Sequence, residues 1–404
     1  MFTLLVAIAG VAPAQPPALT FTAGRASDPQ PVSGTVAKIG PGFAVDFTGA
    51  TPAVGAGDLL SLARTDKPRP AYPAGPHVVL ANGDRLGGTV SGGNGLSVTL
   101  RTAFGNGQAV SLPLAAVAAV WVIPPPADAP PDVARYPWVD AGKKRDALLL
   151  RNGDRLHGRL EAVAADGAGL RFKPDGEKAA KPYAISTVAA LALDPTLARV
   201  RTPKGPFARL TLADGSRVSM ATLLSDGGVL TGATVTGAKV SVPMGELIAA
   251  DIRRGKAVEL ADLKPTAVKE DGFNGVVWPW VTNRSVRGKP LRLTTARGVE
   301  VFDSGLGVHS RSSMTYKLAG KYKRFEAAVG LDAVSGARGA VDVRVLVDGQ
   351  DAKLDGLTGL TASAGAKAIR VDVSGAKELT LVVDYGPGGD VQDDVNWGNA
   401  RLVE

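Results

Sequence analysis

Alternating apolar and polar residues are the strongest structural pattern in the C-terminal third of this 404-residue chain. Phe325 to Leu331, Val341 to Val347 and Ile369 to Val373 each carry an apolar residue at every second position. A period of two turns one face of a strand toward a core and the other toward water. Gly, Asp and Ser clusters separate these runs, and no helical period lies between them. The pattern predicts half-buried antiparallel strands that form a β-sandwich within an all-β chain.

Residues 258–404 carry a series of distinctive motifs. The longest is GLGVHSRSSMTYKLAGKYKRFEAAVGLD, from Gly305 to Asp332. The others are DLKPTAVKEDGFNG (262–275), VRVLVDGQ (343–350), VDVSGAKELTLVVD (371–384) and NWGNARL (396–402). In content and order these motifs resemble the NPCBM family of carbohydrate-binding modules. The resemblance implies a galactose-binding-like jelly roll and glycan binding, but it transfers no set of sugar-contacting residues.

Residues 1–257 contain an internal repeat. VVLANGDRLGGTV (78–90), LLLRNGDRLHGRL (148–160) and RLTLADGSRVSMA (209–221) align, with Asn-Gly or Asp-Gly at the same place. These dipeptides accept positive φ at both central turn positions, so each indicates a tight β-hairpin. We predict β repeats at 77–123, 146–194 and 207–254, and a degenerate copy at 31–66. Pro-rich linkers separate the copies, which resemble small Sm-like or SH3-like barrels. Units of about 45 residues are marginal alone, so packing between them is expected.

The N-terminus predicts export from the cytoplasm. An apolar run from Leu4 to Ala9 precedes Ala12-Pro13-Ala14, whose small residues fit cleavage after Ala14. Residues 1–14 are therefore predicted to be a signal peptide, with a frayed hydrophobic tail as the alternative. No other apolar stretch approaches the ~20 residues that span a bilayer. We expect a secreted or periplasmic protein without a transmembrane segment in its mature chain.

The amino-acid composition limits which partners the chain can be expected to bind and which reactive groups it contains. The net charge of +8 is interpreted as a solvated surface, with attraction to acidic polymers as the alternative. The RNA-binding loops of Sm proteins do not recur in the repeats, so no nucleic-acid partner is expected. The absence of cysteine excludes disulfides, thiolate metal sites and a cysteine nucleophile.

No catalytic motif stands out in the sequence. G-x-S-x-G, H-E-x-x-H and the P-loop pattern are missing. Nothing selects the pair of carboxylates that glycoside hydrolysis needs. His157 aligns with Gly87 and Ser219 of the other repeats, which is typical of a surface turn, and His77 follows a Pro-rich linker. We therefore expect a protein that is not an enzyme.

Four residues of the C-terminal module are candidates for ligand binding. Sugar recognition needs a flat apolar surface and polar groups for the hydroxyls. Trp278 and Trp280 flank Pro279 in a predicted loop and are the freer aromatic pair. His309 either hydrogen-bonds within the sandwich or reaches a ligand. Trp397 is the fourth candidate, although its place on a predicted strand favours a core role.

An acidic cluster precedes the last predicted strand. It consists of Asp390, Asp393 and Asp394. Oxygen-rich loops suit Ca²⁺, so these residues are the candidates for a structural Ca²⁺ site. A solvated turn is the favoured interpretation of the cluster, with Ca²⁺ binding as the alternative, and no other cofactor is expected.

Two functions are compatible with these patterns. The first is a secreted, non-catalytic carbohydrate-binding protein whose C-terminal β-sandwich binds a glycan or polysaccharide. The second is an extracytoplasmic scaffold or adhesion protein that holds envelope proteins without binding sugar. Retention by one of a panel of polysaccharides would distinguish the first from the second.

Overall fold

Strands dominate the chain in a computed structural model, which describes residues 19–127, 129–140, 142–272 and 275–404. The helical segments in these ranges are 3-10 turns of three residues, and none is long and apolar enough to cross a bilayer. The all-β prediction is confirmed. The predicted signal peptide at residues 1–14 lies outside the described residues.

The N-terminal repeats are built from antiparallel strands. In the second, third and fourth repeats, the first strand pairs with both the second and the last strand. The strands are β1 Thr20–Arg25, β2 Val32–Ile39, β3 Val45–Phe47, β4 Leu59–Arg64, β5 His77–Leu80, β6 Arg85–Gly93, β7 Ser97–Thr102, β8 Ala109–Pro113, β9 Val117–Trp121, β10 Asp146–Leu150, β11 Arg155–Val163, β12 Gly169–Pro174, β13 Lys181–Ala184, β14 Val188–Ala192, β15 Phe207–Leu212, β16 Arg217–Met220, β17 Leu224–Ser225, β18 Val229–Ala233, β19 Lys239–Pro243 and β20 Leu247–Arg253. The first repeat includes β1, which pairs with β2 and β4, so it begins before the predicted residue 31.

The predicted hairpins are present, but their turns differ in one detail. Gly83, Gly153 and Gly215 have φ values of 83°, 92° and 88°. The Asn or Asp before each glycine does not have a positive φ. The side-chain Oδ1 of that preceding residue accepts a hydrogen bond from the backbone N–H two residues later, at 2.8–3.1 Å. The expectation of positive φ at both central turn positions was therefore wrong. The side-chain hydrogen bond closes each turn with a single residue, the glycine, in the left-handed region.

Strand pairing fuses the repeats to one another. β4 of the first repeat pairs with β20 of the fourth, and β9 of the second pairs with β14 of the third. One hydrophobic core contains buried residues from all four repeats. Packing between repeats is thus present, although the first repeat pairs with the most distant one in sequence. Closure of each repeat into a Sm-like or SH3-like barrel stays a prediction.

Two antiparallel sheets form the predicted C-terminal sandwich. One has the order β23-β26-β34-β28-β32, with β21 beside β34, and the other β22-β27-β33-β29-β30, with β31 beside β29. Their shared core contains Phe325, Val329 and Leu331, the alternating positions of β28. The strands are β21 Ala257–Glu259, β22 Ala267–Glu270, β23 Val281–Thr282, β24 Leu291–Thr295, β25 Gly298–Phe302, β26 Gly305–His309, β27 Ser312–Lys317, β28 Arg324–Leu331, β29 Ala340–Val347, β30 Gln350–Asp351, β31 Leu360–Thr361, β32 Lys367–Asp372, β33 Glu378–Tyr385 and β34 Asp394–Val403.

Buried polar contacts join the repeats to the sandwich. Arg217 of β16 lies 2.9 Å from the carboxylate of Asp303, which follows β25. Arg324 of β28 donates a hydrogen bond of 2.8 Å to the backbone oxygen of Arg25 in β1. Because these arginines are almost fully buried, the sandwich is held firmly against the repeats and does not hang from a linker.

Candidate ligand-binding site

Four loops meet where β26 ends and β34 begins. The two strands pair so that His309 lies opposite Asp394. The loop before β23 brings Trp278 to His309, and the loop after β23 brings Arg287 to Asp394. The loop after β28 adds Ser335, and the segment before β34 adds Asp393. Residues far apart in sequence therefore form one polar and aromatic cluster.

Trp278 is the aromatic surface of this cluster. Its half-buried ring stacks with the His309 ring, at 5.9 Å between centroids and 27° between planes. The guanidinium carbon of Arg287 lies 4.0 Å from the Trp278 ring centroid, which is a cation–π contact. Trp278 and Arg287 together thus present apolar carbon next to hydrogen-bond donors.

The Asp394 carboxylate anchors the charged groups. Its Oδ2 accepts hydrogen bonds of 2.9 Å from Arg287 Nε and from Ser335 Oγ. Its Oδ1 lies 3.7 Å from His309 Nε2, and the His309 Nδ1 lies 2.8 Å from the backbone oxygen of Ser310. His309 and Asp394 are buried. The position of His309 fits both of its predicted roles, hydrogen bonding within the sandwich and contact with a ligand at the edge of the cluster.

Asp393 is a second buried carboxyl beside the cluster. Its two oxygens accept hydrogen bonds from Ser310 Oγ at 2.8 Å and from the backbone N–H of Ala340 at 3.0 Å. Burial raises the pKa of this carboxyl to about 6, although both hydrogen bonds and nearby His309 act in the opposite direction. Asp393 therefore carries an unfavourable buried charge at neutral pH.

Replacing Asp393 by asparagine is expected to change how stability depends on pH. The carboxyl ionises near pH 4 in an unfolded chain and at about 6 in the fold. Between those values the folded protein holds the extra proton, so the contribution of Asp393 to stability falls as pH rises. Asp393→Asn, which stays uncharged, should match the wild type below about pH 4 and exceed it above about pH 6. Urea unfolding across this range measures the difference, and a constant difference would contradict the assignment.

Exposed valines are close in sequence to the residues of the cluster. Val276 and Val277 precede Trp278, Val334 precedes Ser335, and Val391 lies two residues before Asp393. Their exposures are 57%, 46%, 58% and 44%, respectively. These valines are among the most exposed large hydrophobic side chains in the part of the chain that the structure describes.

Two of the predicted ligand-binding residues lie elsewhere. Trp280 is half-buried against the sandwich core, and its backbone N–H donates to Glu270 Oε1. Trp397 has no exposed surface and packs against Phe325, with ring centroids 6.4 Å apart. A ligand role for Trp397 was wrong, because its side chain lies between the two sheets and no ligand can reach it from solvent.

The predicted acidic cluster does not form one metal-binding group. Asp393 bonds with Ser310 and Ala340, whereas Asp394 bonds with Arg287 and Ser335. In the part of the chain that the structure describes, no three His, Asp or Glu side chains are placed to hold a metal ion. A shared site of Asp390, Asp393 and Asp394 is therefore not assembled, because the carboxylates of Asp393 and Asp394 are occupied by different partners.

Arg287 and Ser335 were not found by sequence reasoning. Both lie in loops with ordinary composition, SVRGKP and AVSGARG, and neither has a distinctive spacing to Trp278 or His309. Only the pairing of β26 with β34 and the position of the surrounding loops bring them to Asp394. No local signal in the sequence would have identified them.

A known family matches the C-terminal part of the chain. Residues 256–403 match the family model of the NPCBM/NEW2 domain. The match confirms the resemblance found in the sequence, and it covers the sandwich together with its candidate site. The N-terminal repeats lie outside it.

One curated relative shares a part of the chain. It is a protein of Renibacterium salmoninarum whose name describes it as a candidate endo-alpha-N-acetylgalactosaminidase. The two are 28% identical over 116 residues, which are 29% of this chain and 7% of the relative. This chain therefore spans only a small fraction of that relative's length.

Solved structures of glycan-binding modules also show similarity. The CBM51 module of Clostridium perfringens GH95, solved with methyl-galactose, is 25% identical, covers 36% of this chain and 99% of that chain, and gives a TM-score of 0.34. The CBM51-2 and INT domains of Clostridium perfringens ZmpB, solved with GlcNAc, are 24% identical, cover 49% of this chain and 40% of that chain, and give a TM-score of 0.34.

Proposed function

We propose that this protein binds carbohydrate without transforming it, and that Trp278, Arg287 and His309 form the glycan site. The observation that carries the proposal is the contact of the half-buried Trp278 ring with a guanidinium and an imidazole at the rim of the sandwich. The match of residues 256–403 to the NPCBM/NEW2 domain supports it.

The chemistry of the cluster suits a sugar ring. A pyranose presents carbon–hydrogen faces beside hydroxyl groups, and it is recognised by an apolar aromatic surface next to polar groups. Arg287 uses Nε for Asp394 and is 44% exposed. Its terminal nitrogens form no hydrogen bond with the described residues, so they can donate to hydroxyls beside the exposed part of Trp278.

The two carboxyls at this site are poorly placed for hydrolysis, since Asp393 is fully buried and its oxygens accept hydrogen bonds from Ser310 and Ala340. Asp394 is neutralised by Arg287 and almost fully buried, so it is poorly placed to attack a sugar or to protonate a leaving group. We therefore propose a non-catalytic role, outside the cytoplasm if the predicted signal peptide at residues 1–14 is functional. A polysaccharide of the cell surroundings is the expected partner.

Trp278→Ala is expected to weaken glycan binding about tenfold or more, since it removes the apolar surface and the support of Arg287. Affinity gel electrophoresis against a panel of soluble polysaccharides measures the change. Trp280→Phe is the matched control, because Trp280 packs on the core and should leave retardation unchanged.

Unchanged retardation of Trp278→Ala would refute the site. No retardation of the wild type by any polysaccharide, together with a co-purifying envelope protein, would instead support the scaffold function. Release of sugar products from the panel would contradict the non-catalytic role.

A further inference from the structure

A cleft separates the fourth repeat from the sandwich, away from the Trp278 cluster. Its volume is about 590 Å³, within the usual range for small-molecule sites. Phe207 and Arg209 of β15 form one wall with Asn82, and Glu259, Asn283 and Ser304 form the other. The cleft lies at the start of β26, whereas the Trp278 cluster lies at its end, roughly 13 Å further along the strand.

Positive and negative groups balance along the cleft, which is lined by Arg209, Arg253 and Arg254 and by Glu259, Asp262 and Asp303. Arg209 lies 2.9 Å from Asp84, and Arg253 forms an ion pair with Glu259. Asp303, on the same border, is bound by Arg217. Arg254 and Asp262 have no ion-pair partner among the described residues, but their charges are opposite, so the cleft lining carries no net charge and favours a neutral ligand.

Hydrogen-bond donors nevertheless remain available in the cleft. Asn82 and Asn283 each use Oδ1 to accept a backbone N–H, from Asp84 and Gly305, respectively. These bonds fix the orientation of both amides, so their NH₂ groups can donate to a ligand.

We propose that this cleft is a second binding site, for a neutral saccharide. The NH₂ groups of Asn82 and Asn283 can donate to hydroxyl oxygens, and the half-buried Phe207 ring supplies a flat apolar wall. The cleft site does not depend on the Trp278 site. Because both halves of the chain form its walls, binding there would also strengthen the junction between the repeats and the sandwich. Two sites on one chain would raise the avidity for a polysaccharide.

Two variants of the full-length protein test the cleft site. Asn283→Asp keeps the acceptor for Gly305 N–H and tolerates the φ of 57° at this position, but removes the NH₂ donor. Phe207→Leu keeps an apolar side chain but removes the flat ring. Trp278→Ala is the reference variant for the other site, and thermal unfolding checks that all three fold.

Calorimetric titration with short neutral oligosaccharides, and with sulfated forms of the same sugars, gives the readout. We expect the wild type to bind two molecules, and each cleft variant to weaken one binding event about tenfold while Trp278→Ala weakens only the other. A single event that Trp278→Ala removes and Asn283→Asp leaves intact would overturn the cleft site. Preference for the sulfated sugars, or no binding at all, would also overturn it. A single event that Asn283→Asp removes and Trp278→Ala leaves intact would uphold the cleft site and refute the Trp278 site.

Discussion

Trp397→Ala is expected to lower the free energy of unfolding by about 3–5 kcal/mol, the usual cost of deleting a large buried aromatic side chain. The Trp397 side chain is completely buried and belongs to the core between the two sheets. Deleting it removes apolar contacts with residues such as Phe325 and leaves a cavity that strands on both sides hold open. Equilibrium urea unfolding followed by circular dichroism measures the loss.

Trp397→Phe is the matched control for this substitution. The Trp397 Nε1 is buried without a hydrogen-bond partner among the described residues, so phenylalanine gives up no hydrogen bond and loses only part of the volume. It should cost clearly less than alanine. Full stability of Trp397→Ala combined with loss of glycan binding would contradict the core role and restore a ligand role.

Arg217→Met is expected to destabilise the protein by about 3–5 kcal/mol, because it leaves a buried carboxylate without its counter-charge. Arg217 has no exposed surface, and its Nε lies 2.9 and 3.0 Å from the two oxygens of Asp303. Its two terminal nitrogens donate to the backbone oxygens of Gly215 and Pro70, both at 2.8 Å. The substitution therefore breaks the junction between the repeats and the sandwich.

The state of Asp303 sets the pH dependence of this effect. Burial opposes its ionisation, but Arg217 and further arginines outweigh burial and hold the pKa of Asp303 below its usual value. The ion pair thus contributes stability above about pH 4, and this contribution is lost as the pH falls below that value. The penalty of Arg217→Met, measured by urea unfolding, should shrink in acid as Asp303 becomes protonated.

A double variant separates lost charge pairing from lost packing. Arg217→Met combined with Asp303→Leu removes both charges, so it should recover much of the stability that Arg217→Met loses. A cost below about 1 kcal/mol for Arg217→Met would show that the ion pair is no stronger than an exposed one.

Local patterns predicted several strands and hairpins correctly. The alternation at Phe325 to Leu331 corresponds to β28, where alternate side chains enter the core. The Asn-Gly and Asp-Gly dipeptides mark real hairpins in three repeats. These signals are reliable because side-chain alternation and the left-handed φ of glycine depend on neighbouring residues alone.

The candidate site was predicted only in part. Trp278 and His309 were named as candidates and lie in contact, but Arg287 and Ser335, which complete the cluster with Asp394, were missed. Trp397 was misjudged as a ligand residue, since the sequence does not show which face of the last strand meets the opposite sheet. The role of each residue in binding awaits the tests above.

The sequence alone determined the all-β character, the places of the hairpin turns and the family of the C-terminal part, because each is written in short runs of adjacent residues. Tertiary structure decided that β4 pairs with β20, that Arg217 meets Asp303 across the junction, and that four distant loops surround Asp394. These contacts join residues tens to hundreds of positions apart. They depend on which strand edges and buried charges complement one another once the chain has folded, and no local period encodes that choice.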